Sequence, residues 1–229
     1  MIIIYINNIY FKEKLVGIAE RRERERDLQQ KMRRKQILDA AKRLFHAKGF
    51  SSATMEDIAK EAELSPAAIY LYFKNKDDLY VSLNLQLLEY LSDKLEKLYL
   101  QEGPDAEEKV EALKDLFSDV YNFDQMILIN LFHLQASDGL KNLPPERLSQ
   151  LNELAGKCLG NLAGIFDQGK DEGLFEDYHS TALADIVWSN FTGAVLWEES
   201  KRIINPHKAY LKNTLDLAID ILIRGIRKK

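Results

Sequence analysis

Cysteine is almost missing from this chain. Among 229 residues only Cys158 carries a thiol, so no internal disulfide can form, and the sequence suits a reducing, cytoplasmic setting. Breakers are scarce too. Five prolines and eleven glycines leave long stretches dominated by Leu, Ala, Glu and Lys, a composition that favours helix nearly throughout. No apolar run approaches the ~20 residues of a membrane-spanning helix, so no membrane association is expected. The opening MIIIYINNIYF lacks a basic leading segment and a small-residue cleavage site, which argues against a signal peptide. His46, His133, His179 and His207 show no metal-ligand spacing with one another or with Cys158. Nucleophile elbow, phosphate-binding glycine loop and paired carboxylates in a recognisable context are all wanting. No enzymatic activity, no cofactor and no metal are therefore expected.

What the chain does have is an asymmetry of charge beneath a net value of −4. Arg21 to Tyr80 hold 14 Lys and Arg against 10 Asp and Glu, whereas residues 81–229 hold 16 against 24. A basic front on an acidic body suggests that only the front meets a polyanion. Hydrophobic residues at 46% are ample for a core and exclude disorder.

Periodicity divides the chain into helices. The charge-dense stretch Ala19–Gln36 pairs Glu20 with Arg24 and Asp27 with Lys31 at helical spacing, and reads as a solvated helical extension. It leads into the stripe Ile37, Ala40, Ala41, Leu44 and Phe45, which Gly49 ends by supplying a left-handed stop. Thr54 then caps a second helix in a capping box with Asp57, whose buried face is Ile58, Ala59 and Ala62. Ser65 caps a third, with Pro66 at its first position, where the missing N–H costs nothing. That helix is short and ends near Phe73. Asn75 caps a fourth, with Asp77 and Asp78 in the first turn and leucines from Leu79 to Leu98 along one side. After Gly103-Pro104, helical patterns follow over 106–121, 124–137, 145–169, 180–203 and 206–226, with a break at Asp138-Gly139. No trustworthy strand alternation and no internal repeat occur. The expected fold is all-α, a three-helix front module followed by a roughly six-helix body. The expected domains are an extension over 1–19, the front module over 20–80 and the body over 81–229.

Two short helices joined by a tight turn make a poor core but present a helix N-terminus well to a DNA major groove. The tip of the second, Ser65, Pro66, Ala67 and Ala68, must then be slim, and it is. Such residues offer methyl contacts or one hydrogen bond, not bidentate base readout. ILDAAKRLFHAKGF, TMEDIAKEAELS and AIYLYFKNKDDLY resemble the DNA-binding domain of the TetR family of transcriptional regulators, continuously over about residues 33–80. The body resembles the family only in helix count and in the GKDEGLF turn before its last two helices.

The resemblance implies that Tyr70, Tyr72 and Lys76 contact DNA and that Thr54 touches phosphate, while Ile69 and Phe73 face inward with Phe45 and Ile58. On the residues themselves, Lys76 places a cation at a helix N-terminus, where only an outside anion would reward it. Two positions depart from the family pattern. Glu63 stands where glycine is common, implying either a left-handed residue at about 1 kcal/mol or a different turn. Ala67-Ala68 replaces the usual Gly-Thr and so shifts sequence preference. The resemblance also suggests that residues 1–15 precede the true translational start, Val16 being compatible with a GTG codon.

The family resemblance further implies a ligand-responsive repressor. It would bind double-stranded DNA at a palindromic operator, as a homodimer paired through its last two helices, and respond to an unknown small-molecule effector. ADIVWSNFTGAVL and LDLAIDILIRGI fit such pairing, being apolar on more than one face. Candidate effector contacts are Tyr121, Asn130, His133, Phe166, Trp188 and Phe191, with Phe132, Gln135 and Asn190 beside them. Aromatic residues at helical spacing more often build a core than a pocket. Gly156, Gly160 and Gly164, four apart, suggest close helix approach, and Cys158 an inert core thiol. An alternative reading is a helical small-molecule-binding protein with a vestigial DNA-binding module.

Overall fold

A computed structural model describes residues 2–136, 143–205 and 210–229, with side chains for all of these except 2–19, 130, 133–136 and 203. Among the described residues the secondary structure is helical: α1 (Ile2–Lys48), α2 (Met55–Glu61), α3 (Pro66–Ile69), α4 (Lys76–Leu100), α5 (Ala106–Phe123), α6 (Gln125–Ala136), α7 (Pro145–Asp171), α8 (Ser180–Ile204) and α9 (Leu211–Ile226). The all-α expectation holds. The expected break at Asp138-Gly139, the expected helix start at Pro206 and the side chains of Asn130, His133 and Gln135 lie outside the described residues. The chain forms two compact units, Met1–Tyr80 and Val81–Lys229.

In the first unit the caps fall where side-chain chemistry puts them. Gly49 adopts φ 78° and its N–H returns to Phe45 O at 2.9 Å, closing α1. Residues 2–19 continue α1 as backbone helix rather than forming a separate element. The helix gains no stop signal between Asn8 and Lys48, and Glu20 and Arg24 pair at 3.6 Å along it. Four residues of the expected stripe, Ile37, Ala40, Ala41 and Phe45, are buried, and Leu44 is half-buried. Helix α3 is shorter than expected, ending at Ile69, because the chain continues as turns in which the Leu71 and Tyr72 N–H groups reach back three residues, to Ala68 O and Ile69 O.

In the second unit α7 packs on α8, α5 on α9 and α7, and α8 on α9. Asp105 begins α5 with a full capping box to Glu108. The Lys109 ammonium is buried, donating to Tyr99 O at 2.7 Å and Gln168 Oε1 at 2.9 Å, and so closes the C-terminal turn of α4. Behind α7, Gly173 turns the chain at φ 73°. Leu174 to Glu176 then pair with the C-terminal segment, Glu176 N–H to Ile226 O and Lys228 N–H to Leu174 O, both at 2.8 Å.

The glycine row on α7 corrects an expectation. Only Gly164 accommodates a close neighbour, a Cβ there falling 2.5 Å from the Tyr99 ring. Gly156 and Gly160 are exposed with open space around them. The tightest site is Gly169, where a Cβ would lie 2.1 Å from the buried Phe175 ring. Gly169→Ala is therefore expected to cost about 1–3 kcal/mol through overpacking. Gly160→Ala should instead stabilise by up to about 1 kcal/mol, the helix-propensity gain over glycine. Urea unfolding of the two variants measures the contrast.

Candidate nucleic-acid interface

The front unit builds a narrow exposed ridge on a closed base. Thr54 begins α2: its Oγ1 accepts the Asp57 N–H at 3.1 Å, and Asp57 Oδ2 accepts the Thr54 N–H at 3.1 Å. Asp57 also takes a hydrogen bond from the Lys48 ammonium. That bond first, then those from the Thr54 hydroxyl and backbone, hold its carboxyl down at about 2 against an ordinary 3.8. The turn after α2 is left-handed at Glu63, φ 54°. Of the two alternatives at this position, the strained one is realised, and Leu64 N–H closes the turn on Ala59 O at 2.8 Å.

Ser65 caps α3 by accepting the Ala68 N–H on Oγ at 3.2 Å. Ile69 and Phe73 are buried below, with Phe45 and Ile58 also in the core. Above, Thr54, Ser65, Pro66, Ala67 and Tyr70 are exposed, and Ala68, Tyr72 and Lys76 half-buried. The eight positions named from sequence thus lie on α3, in the residues flanking it, or at the starts of α2 and α4. Asn75 Oδ1 accepts the Asp78 N–H at 2.8 Å, restarting the chain as α4.

Three features escaped the sequence reading. Leu71 is 82% exposed, an apolar side chain standing in water beside Tyr70. Two α1 side chains clamp the turn region from behind: Gln36 Nε2 donates to Ala62 O at 2.7 Å, and Arg34 Nη1 donates to Tyr72 O at 3.2 Å while its guanidinium covers the Phe73 ring at 4.2 Å. The third corrects an expectation: the Lys76 charge does not point to solvent alone. Its Nζ donates to Phe50 O at 2.7 Å, Ala53 O at 3.0 Å and Ser51 O at 3.2 Å, and lies 4.4 Å above the Phe50 ring. No periodicity signals a side chain folding back over 23 to 26 residues.

This stretch of the chain is where the family comparison lands. The family model described as bacterial regulatory proteins, tetR family, matches residues 37–83. The front unit matches the tetR family. It is 25% identical over 196 residues to the fatty acid metabolism regulator protein of Bacillus subtilis, covering 85% of this chain and 95% of that protein. It is 23% identical over 148 residues to the biofilm operon icaADBC negative transcriptional regulator IcaR of Staphylococcus aureus, covering 64% of this chain and 76% of that one. Among solved structures, the TetR-family regulator PfmR of Thermus thermophilus superposes with a TM-score of 0.66 at 22% identity, covering 82% of this chain and 97% of that one. FadR of B. subtilis in complex with stearoyl-CoA gives 0.64 at 24% identity, covering 84% and 98%. The fold is shared along nearly the whole length of PfmR and FadR.

In the body, the aromatic candidates are largely interior. Phe117 stacks on Phe191 at 4.4 Å, and Phe132 meets both Trp188 and Phe191 edge-on at 5.9 Å. Phe166 belongs instead to the end of α7, facing Phe175 at 6.3 Å. Asn190 is exposed and returns its amide to Ile186 O. Tyr121 is buried, which raises its phenol pKa against the opposing pull of Arg202. Beside it on α8 the buried Glu198 pairs with Lys201 at 2.7 Å and accepts the Tyr210 N–H at 2.9 Å. Arg202 donates to Gln125 at 2.8 Å. Cys158 is buried, its thiol pushed up to about 12, so it stays protonated and unreactive. Two open surface hollows, one around Asp167, Lys170 and Tyr178 of about 470 Å³ and one around Glu176, Arg224 and Lys228 of about 720 Å³, contain none of the effector candidates. Among the described residues no helix is long and apolar enough to cross a membrane.

The capping box has a testable acid limit. A depressed carboxyl stabilises the fold above its unfolded value and loses that contribution as pH falls through the folded one. The Asp57 contribution should thus be complete above 3.8 and fade on approach to about 2. Carboxyl-carbon NMR should place the Asp57 midpoint near the lower value, and Thr54→Ala, which removes the cap, should cost about 1 kcal/mol at neutral pH.

Proposed function

We propose that this protein is a transcriptional repressor that holds a palindromic operator as a homodimer and releases it when a small molecule occupies the helical body. The observation that carries the reading is the ridge itself: a slim, capped α3 whose exposed residues are small, hydroxylic or aromatic, set on a fully buried base. Tyr70 and Tyr72 are suited to donate to phosphate oxygens, and Thr54 and Ser65 to lie along the backbone. The Ala67-Ala68 pair and Leu71 are suited to thymine methyls. Nothing in this set reads a base by paired hydrogen bonds, so shape and methyl pattern carry the preference.

Dimerisation is supported by exposed apolar side chains on the last two helices. On α8, Ile186, Trp197 and Ile204 are exposed, with exposed Asn190 and Gly193 on the same helical face. On α9, Leu217 and Ile221 are exposed one turn apart. A self-complementary pairing of α8 and α9 would cover both stripes. It would set two recognition helices about one DNA turn, ~34 Å, apart.

The effector reading draws support from the stearoyl-CoA complex of B. subtilis FadR, 98% of whose chain this fold covers. An apolar chain suits the aromatic cluster of Phe117, Phe132, Trp188 and Phe191, and Arg202 beside Tyr121 suits an anionic head. Release then requires only that the ligand prefer a helix spacing that misfits the groove.

Selection of duplexes from a random pool, followed by gel shift, tests the whole. The selected site should be a palindrome bound by two protomers, with affinity falling steeply as salt rises. Tyr70→Phe should weaken it about tenfold, the worth of one hydrogen bond to a charged oxygen. Ile221→Arg should leave a folded monomer by sedimentation and abolish operator binding. A pool that yields no specific duplex would instead favour a ligand-binding protein with a vestigial front module.

A further inference from the structure

Helix α1 begins well ahead of the unit it serves. Every side chain from Glu20 to Arg33 is exposed, and packing starts only at Arg34, Gln36 and Ile37. At that level Gln36 donates to Ala62 O and Arg34 to Tyr72 O, the residues before and after α3. The extension therefore leaves the unit beside α3. At about 1.5 Å per residue it runs on for about 20 Å, enough to pass a major groove about 12 Å wide. Helices in proteins draw most of their stability from packing one face, and this stretch packs none.

Helical period shows which side of the extension continues the packed face. Leu44, Ala40 and Ile37 turn α1 onto the rest of the unit, and the same steps of three or four residues lead on to Arg33, Gln29, Arg26 and Arg22. The four carboxylates between Glu20 and Arg33 fall off this strip, and one of them, Glu20, is held by Arg24 at 3.6 Å. Arg33 donates to Gln36 at 2.9 Å. Arg22 and Arg26 have no ion pair or hydrogen bond among the described residues. Closer to α3 the cations are engaged inside the unit, Lys48 by Asp57, Arg43 by Glu61 and Arg34 by the Phe73 ring. A guanidinium only donates hydrogen bonds, and phosphate oxygens accept them in pairs. We infer that Arg22 and Arg26 contact phosphates of the operator duplex outside the half-site that α3 enters. This rests on the DNA-binding reading above and extends that interface along α1, over a stretch whose composition alone reads as solvated helix.

The test sets the full chain against the double variant Arg22→Gln/Arg26→Gln, in which glutamine keeps the helix propensity. The wild-type protein first selects a palindrome from a random pool, which is then prepared trimmed and with about one helical turn of added duplex on each side. On the extended duplex the variant should bind about tenfold more weakly, and its slope of log affinity against log salt should be shallower by about two per protomer. On the trimmed duplex variant and wild type should bind alike. A second double variant, Arg21→Gln/Lys35→Gln, removes the same charge from the other side of α1 and should bind both duplexes as wild type does. Equal slopes for wild type and the Arg22/Arg26 variant on the extended duplex would overturn the assignment. So would a loss that persists on the trimmed duplex, or equal losses in the two double variants, which mark net charge rather than contact. An operator that is selected but bound equally by the Arg22/Arg26 variant removes this strip alone. A pool that yields no specific duplex removes the DNA-binding reading and the strip together.

Discussion

A helix of four residues closes at most one or two internal hydrogen bonds, far fewer than are needed to offset the cost of nucleating it. Helix α3 therefore owes its shape to its surroundings, and most of the front unit can be understood as the means of holding it. Ser65 and Pro66 fix its start, one by receiving a backbone N–H and the other by presetting φ. Ile69 and Phe73 fix its depth by burial. The left-handed Glu63 sets the angle at which it leaves α2. From behind, Gln36 and Arg34 on α1 take the carbonyls of Ala62 and Tyr72, one on each side of α3. A surface held this way from several directions can expose Tyr70 and Leu71 without their collapsing onto the core.

The same need explains which parts of the molecule could be seen in the residues alone. Caps are local: Thr54 with Asp57, Ser65 with Pro66, Asn75 with Asp78 and the φ of Gly49 depend on neighbours three or four positions away, and each stands where its chemistry places it. The buried positions of α1, α2 and α4 follow from helical period for the same reason. The partners of Gln36, Arg34 and Lys76 lie 23 to 38 residues along the chain. A pattern read in windows of one or two turns does not contain them. The end of α3 was misplaced because Tyr70 to Phe73 satisfy helical spacing on their side chains, while the N–H groups of Leu71 to Phe73 fall into turns reaching back three residues or four.

The body was legible in a different degree. Its helix starts followed proline, glycine and acidic caps, but its glycine row on α7 did not declare its purpose. Three glycines at identical spacing proved to be one close contact and two open positions, because what decides is the residue opposite, here Tyr99 from another helix. Likewise an aromatic at helical spacing is a core residue or a pocket wall according to what it faces. Phe166 and Phe191, indistinguishable in sequence context, belong to separate ring contacts. Exposed apolar residues on α8 and α9 were more readable, since a helix apolar on more faces than one core can cover must present the surplus somewhere.

The distribution of charge completes the picture. Basic residues outnumber acidic ones in the front unit, yet several of them are engaged within it: Lys48 by Asp57, Arg43 by Glu61, Arg34 by Phe73 and the Tyr72 carbonyl, and Lys76 by its loop. Net charge attracts a polyanion from a distance, but it does not say which cations meet it. In this unit many of the charges nearest α3 hold backbone and partner side chains in place. The groups left facing outward on the ridge are hydroxyls, phenols, methyls and one leucine. Holding the scaffold and facing outward are thus separate tasks here, the first given to cations and the second to neutral groups.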